Sequence, residues 1–116
     1  MQTREQQRAQ IAFEKISTLQ ETDAAQAHLR VSKAFPALLH NSGLCQALAF
    51  YASKHHWDYL DHLAATMREV SRDTLLDKSR MAPLVSYQHL NREALACAGW
   101  LKRYAEALLQ QGGQNS

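Results

Sequence analysis

Residues 35–54 read FPALLHNSGLCQALAFYASK, the end of one helix, a tight polar corner and the start of the next. Pro36 restricts the backbone and removes an amide donor, so it is tolerated in a first helical turn and elsewhere kinks or ends a helix. Asn41, Ser42 and Gly43 supply the corner. Asn41 or Ser42 is expected to cap the following helix by accepting a hydrogen bond from a free first-turn amide. Gly43 permits a backbone conformation or a close approach that a side chain would block. Beyond the corner, Leu44, Ala47, Leu48 and Tyr51 share one helical face, with Gln46, Phe50 and Lys54 on a neighbouring one. The stretch therefore sets two helices against each other and leaves a polar edge at their junction.

Outward from the corner, the rest of the chain repeats the helical pattern. Thr3-Arg4-Glu5-Gln6 fits a capping box, and a helix from about Arg4 to Gln20 follows. At about 100° per residue its Ala9, Ala12, Phe13, Ile16 and Leu19 form a core stripe. Arg4, Arg8 and Lys15 line up beside it as a basic stripe, which on a surface helix is in the first instance a solvated face. Thr22 or Asp23 is expected to cap a second helix carrying Ala27, Val31, Ala34, Phe35 and Leu38 at helical spacing, bent or split at Pro36. Its outward side would carry His28, Arg30, Lys33 and His40. A segment from about Trp57 to Val70 places Leu60, Leu63, Ala64, Met67 and Val70 on one face. Ser71 to Asn91 is expected to form short turns and a mobile loop, because Pro83 interrupts it and RDTLLDKSR has little to bury. Asn91 then caps a last helix in which Ala94, Leu95, Ala98, Leu101, Ala105 and Leu108 form a face widened by Trp100 and Tyr104. Gly99 inside that helix costs about 1 kcal/mol relative to Ala, which predicts a close neighbour there.

With 116 residues, four Gly, two Pro and few Val or Ile, the composition favours helix throughout. The fold expected is all-α: a compact single-domain helical bundle of about five to six helices over residues 1–111, with a disordered tail at 112–116. A chain of this size buries roughly 65% of its unfolded surface, enough for a core without metal or disulfide. The net charge of +2 is too small to assign a nucleic-acid partner by itself, since that requires clustering. Cys45 and Cys97 have no C-x-x-C spacing and suit a reducing cytoplasm as small buried hydrophobes. No apolar run approaches the roughly 20 residues needed to span a bilayer, so no membrane role is expected.

Chemical motifs are sparse. His55-His56-Trp57-Asp58-Tyr59-Leu60-Asp61-His62 is the one concentration of metal-type ligands, with Asp58 and His62 four apart on a helical face. A helical di-iron or zinc site would use Glu-x-x-His or His-Glu-x-x-His, and no Glu stands three residues before a His. A metal-dependent enzyme built on His55, Asp58 and His62 is thus the remote alternative. Phosphate-cradling and dinucleotide glycine motifs are absent, and neither cysteine has an identifiable base. The residues point to a binding module, with no enzyme activity, cofactor, metal or small-molecule substrate. Basic residues without an aromatic platform suit contacts to backbone phosphates that are indifferent to base sequence.

Three blocks, RAQIAFEKI, FPALLHNSGLCQALAFYASK and REALACAGWLKRYAEAL, together resemble the small all-helical subunit of the type III-B CRISPR (Cmr) RNA-silencing effector complex. Phe-Pro, Asn-x-Gly-Leu, Gln-Ala-Leu-Ala-Phe and Ser-Lys, followed downstream by Trp-Leu-Lys-Arg-x-Ala-Glu, are specific in combination. Cys45, Gly99 and the middle from His55 to Tyr87 depart from the pattern. The resemblance implies a cytoplasmic, non-catalytic subunit of an antiviral ribonucleoprotein. It would stack in copies of itself beside the repeat-associated backbone proteins, with guide RNA and target RNA running along the groove between them. Carried onto this chain, it makes Arg4, Arg8 and Lys15, Lys33 and Lys54, and Lys102 and Arg103 the residues expected to contact RNA. Phe35, Leu44, Phe50 and Trp100 are expected in core or subunit packing. A purely structural spacer without RNA contact is the alternative.

Overall fold

Thr3 opens the first helix as the sequence predicts. Its hydroxyl accepts from Gln6 N at 3.0 Å, and Gln6 Oε1 accepts from Thr3 N at 2.8 Å. The computed structural model describes residues 1–110, so the tail expected at 112–116 lies outside the described residues. It contains α1 (Arg4–Ser17), α2 (Ala25–Ser42), α3 (Leu44–Ser53), α4 (Trp57–Thr66), α5 (Arg72–Met81) and α6 (Leu84–Leu109). Among the described residues there is no strand. The architecture is an all-α bundle of the expected helix number.

The 26-residue α6 is the axis on which α1 and α2 pack. Gln26 Nε2 donates to Leu109 O at 2.8 Å at one end of α2, and Leu44 N, just beyond the other end, donates to Asn91 Oδ1 at 2.9 Å. These two bonds fix α2 antiparallel to α6. Arg8 against Glu93 and Phe13 against Tyr104 set α1 parallel to α6. The short α3, α4 and α5 close the remaining sides, burying Leu44, Leu48, Tyr59, Leu60, Leu63 and Leu75. At the centre Phe35 meets Tyr51 and Tyr59, with ring centroids 4.8 and 5.1 Å away. Each fully buried side chain of this size contributes about 1.5–3 kcal/mol of transfer free energy.

Several local expectations are revised by tertiary packing. Pro36 neither bends the chain out of helix nor splits it, since α2 is continuous from Ala25 to Ser42. Phe35 and Leu39, both buried, anchor the helix on each side of the missing amide. Thr22 does not cap α2, because its hydroxyl donates to Leu19 O at 2.7 Å in the preceding turn. The N-cap is Ala24, with no side-chain bond. His28 is buried instead of outward. The first helix ends three residues early, where the Ser17 and Thr18 hydroxyls donate to Phe13 O and Lys15 O.

The corner and the middle differ most. Asn41 and Ser42 remain in α2, and Gly43 alone makes the corner at φ 82° and ψ 163°. The caps of α3 come from α6: Asn91 Oδ1 on Leu44 N, and the Tyr87 hydroxyl, which accepts from Cys45 N at 3.0 Å. Asn91 therefore does not start the last helix, which begins just after Pro83. Residues 72–81 form a regular helix in place of a loop, because Ser71 caps Thr74 N at 3.2 Å and Leu75 is fully buried. Val70 is 90% exposed, off the core face, since the chain leaves α4 through Arg68 at φ 64°.

Candidate nucleic-acid interface

The seven candidate cations occupy different electrostatic environments. On α1, Arg8 is mostly buried and its guanidinium is hydrogen-bonded to Glu93 Oε1. The Glu93 hydrogen bond raises the Arg8 pKa against the opposing effect of burial. Burial works against the Glu93 charge, but the Arg8 hydrogen bond and the charges of Arg8 and Arg4 hold the carboxyl below its usual range. Arg4 approaches the same carboxylate at 3.7 Å and is largely exposed. Lys15, further along the stripe, is exposed and lies toward α4, where its charge helps to hold His62 down. Among the described residues it has no acidic partner. The stripe is therefore a seam between α1, α4 and α6 in which one cation is committed to an internal ion pair.

The remaining candidates sit on other faces. Lys33 is exposed on α2 and Lys102 half-exposed on α6, and the antiparallel register set by Gln26–Leu109 and Leu44–Asn91 places them at the same level. Arg103 follows on α6, exposed. Lys54, the C-cap of the corner helix, holds its ammonium 5.5 Å from the Phe50 ring centroid. None of these has an acidic partner among the described residues. Arg72, Lys78 and Arg80, by contrast, are paired with Asp61, Glu69 and Asp77.

Further exposed cations and an aromatic seam lie outside the seven candidates. Arg68, Arg92 and Arg30 also lack carboxylate partners among the described residues, and Arg68 is held to Gln7 Oε1 at 2.9 Å. An aromatic seam lies along α1 and α6: Phe13 packs edge-on to Tyr104 at 5.5 Å, and Trp100 stacks on Tyr104 at 5.8 Å. Phe13 is 42% exposed, and a groove lined by Glu5, Arg8, Leu95, Gly99, Trp100 and Arg103 runs beside the seam. Basic residues are thus interleaved with aromatic ones here, contrary to the sequence expectation. The signal in the sequence was the spacing of Trp100, Arg103 and Tyr104 on one helix. Gly99 has no close neighbour, because a Cβ there would meet nothing within 4 Å. Of the residues assigned to packing, Phe35 and Leu44 are fully buried, Trp100 is half-buried and Phe50 is 47% exposed.

The histidine cluster disperses. His62 Nδ1 lies 3.4 Å from His28 Nε2, and the His55 ring stacks on Trp57. Among the described residues, no three His, Cys, Asp or Glu side chains are placed to hold a metal ion. Cys97 is buried and its thiol is pushed up to about 12 by burial, while Cys45 is half-buried, and both are free thiols. No described helix is long and apolar enough to cross a membrane.

The fold is a small all-α bundle that carries, among the described residues, cations without acidic partners on its flanks. The model of the CRISPR-associated protein family Cas_Cmr5 matches residues 4–108, and the chain belongs to that family. It is 34% identical over 114 residues to the CRISPR system Cmr subunit Cmr5 of Thermus thermophilus, covering 96% of this chain and all of that one. A crystal structure of a CRISPR-associated Cmr5 family protein from the same organism superimposes with a TM-score of 0.87 at 35% identity. The match covers 92% of this chain and 98% of the other. The departures at Cys45, Gly99 and the middle segment leave the fold intact.

Proposed function

We propose that this chain is a non-catalytic small subunit of a type III-B Cmr effector complex, acting in the cytoplasm. Copies of it stack beside the repeat-associated backbone subunits and contact the phosphates of guide and target RNA. The observation that carries this reading is the set of cations left over once internal ion pairs are counted. Lys15, Lys33, Lys54, Lys102 and Arg103 have no acidic partner among the described residues, which is the condition for releasing counterions from a phosphate backbone. The Arg8 hydrogen bond to Glu93 supports a structural role for Arg8 in place of an RNA contact. Arg4 stays at the edge of the set, being exposed and only loosely paired.

The test is the salt dependence of RNA binding by the assembled complex. Replacing Lys33, Lys102 and Arg103 with Ala should lower the slope of log affinity against log salt by about 2, at about 0.7 per single-strand phosphate. An unchanged slope would refute RNA contact by these residues. It would favour the spacer reading, which has its own support in Met81, Leu84 and Val85, exposed at 76%, 70% and 77% around the α5–α6 junction. Replacing those three with Ser separates the readings, because it weakens subunit docking without changing the salt slope.

A further inference from the structure

An opening between α2 and the α3–α4 turn lies away from the α1–α6 seam and has a defined chemistry. It is a cleft of about 440 Å³, within the range of about 300–1,000 Å³ typical of small-molecule sites. One wall is smooth: Ala24, Ala27, Val31 and Ala34 recur along a single face of α2. The facing wall is aromatic, with Phe50 half-exposed at the mouth and Tyr51 and Tyr59 buried behind it. Tyr51 is fixed by donating its hydroxyl hydrogen to Val31 O at 2.7 Å. The Tyr59 hydroxyl, in contrast, is fully buried and has no hydrogen-bond partner. A buried hydroxyl left unpaired costs about 1–3 kcal/mol, so this one is either tolerated strain or awaits a ligand.

The same cleft is arranged to receive an anion. The first turns of both α2 and α4 border it, through Ala24 and Ala27 on one side and His56 and Asp58 on the other. Neither helix start has a side-chain cap; Ala25 N is bonded to Thr22 O and His28 N to Ala24 O, so the amides left beside the positive dipole ends are those of Gln26 and Ala27 on α2 and of Trp57 and Asp58 on α4. Arg30 lines the cleft without a carboxylate partner among the described residues, its only bond being a long one of 3.5 Å to Gln26 O. Lys54 lies over the Phe50 ring beside the mouth. Asp58 is the single carboxylate in the lining and can accept from an exocyclic amine.

We propose that this cleft is a binding site for one unstacked nucleotide. The planar base lies between the small-residue wall of α2 and the ring of Phe50 with its amine edge toward Asp58 at the start of α4, and its phosphate lies at the uncapped start of α2 and Arg30. A flat ring suits this wall, on which Val31 is the one residue bulkier than alanine among Ala24, Ala27, Val31 and Ala34. An aromatic wall stacks any base with little regard to sequence. The cleft would then hold a base turned out of the RNA that the free cations contact, an extension that rests on the RNA reading above. The shared chemistry also admits a free nucleotide.

The experiment titrates the full chain with AMP, UMP, inorganic phosphate and a short oligouridylate, following backbone amide resonances. Saturable shifts are expected in the first turns of α2 and α4 with AMP or UMP, with phosphate at least tenfold weaker. Ala27→Leu fills the cleft at an exposed position with a good helix former, so the fold is kept, and it should weaken nucleotide binding at least tenfold. Tyr59→Phe removes only the unpaired hydroxyl and should weaken it several-fold. Tighter binding of the oligouridylate than of UMP at the same amides identifies RNA as the source, and the reverse identifies a free nucleotide. Absence of saturable shifts, AMP binding that Ala27→Leu leaves unchanged, or equal affinity for phosphate and AMP would each overturn the proposal. The Lys33, Lys102 and Arg103 replacements leave the AMP signal in place, so failure of the backbone-contact reading is distinguishable from failure of the cleft.

Discussion

Asn91, in the third turn of α6, accepts a hydrogen bond from Leu44 N at 2.9 Å and so caps a helix 47 positions away in the chain. The bond joins the corner to the long axis helix. Tyr87, one turn earlier, caps the next amide, that of Cys45, at 3.0 Å. Asn91→Ala should therefore destabilise the fold by about 1 kcal/mol, within the range of about 0.5–2 kcal/mol for a lost N-cap. Tyr87→Phe should cost a similar amount, since it leaves a part-buried amide unpaired. Urea unfolding of both variants checks this. Because the two caps act on neighbouring amides of one turn, the double variant should fall short of the summed losses.

The glycines behave oppositely. Gly43 sits at φ 82° and ψ 163°, a region nearly closed to other residues, and a Cβ there would stand 3.3 Å from the Tyr87 hydroxyl that caps Cys45. Gly43→Ala should cost about 1–3 kcal/mol. Gly99 is helical with open space where its Cβ would be. Gly99→Ala should stabilise the protein by up to about 1 kcal/mol, through helix propensity and a less free unfolded chain. Thermal melts distinguish the two, and a destabilised Gly99→Ala variant would show that the helix is crowded there.

What the sequence carried and what it left hidden divide along local and long-range physics. The capping box at Thr3, the buried face of Leu44, Ala47, Leu48 and Tyr51, and most of the apolar face of α6 depend on residues within a few turns of each other, and their spacing was enough, although Leu95, assigned to that face, is 39% exposed. The role of Asn91 was unreadable because a side chain in a helix interior caps α3, and only the antiparallel packing of α2 on α6 brings it there. Helix α5 was hidden because RDTLLDKSR offers little apolar surface, and Leu75 becomes fully buried only once α3 and α4 are in place. Among the candidate cations, charge periodicity grouped Arg4, Arg8 and Lys15 correctly as one stripe. It could not reveal that Glu93, 85 positions from Arg8, neutralises its most buried member. The cleft between α2 and the α3–α4 turn was invisible for the same reason.

Arg8 and Glu93 are each less than a fifth exposed, so removing either leaves the other short of a charge partner in a partly desolvated seam. Glu93→Gln should destabilise by about 1–3 kcal/mol, and Arg8→Ala by a comparable amount, part of it from lost packing of the guanidinium stem. Lys15→Ala, on the same stripe but exposed and without an acidic partner among the described residues, should change stability by less than about 0.5 kcal/mol. Chemical denaturation of the three variants provides the comparison. Equal, small effects would return Arg8 to the set of cations available to RNA.

His28 and His62 make stability depend on pH in a defined direction. Burial, reinforced by the neighbouring His62 charge, lowers the His28 pKa from 6.5 to about 4, while Asp58 opposes the shift and His56 adds to it. His62 is lowered as well, by burial and by the charge of Lys15, against the pull of Asp58 and Asp61. Both rings are therefore neutral in the folded protein at neutral pH, and one N–H can be shared across the 3.4 Å between them. The unfolded chain takes up protons on these rings near pH 6.5, before the folded protein does, so stability must fall as pH drops from about 6.5 toward about 4. Above that window the rings contribute no slope. Melting temperature measured from about pH 7.5 down to about pH 4.5 should decline through this interval. His28→Gln, which cannot titrate, should flatten part of the decline even if its stability at neutral pH is lower. An equally steep decline in the variant would assign the acid sensitivity in this interval to groups other than His28. The Glu93 carboxyl, held below its usual range, loses its stabilising charge at lower pH still, chiefly below its unfolded value of 4.5.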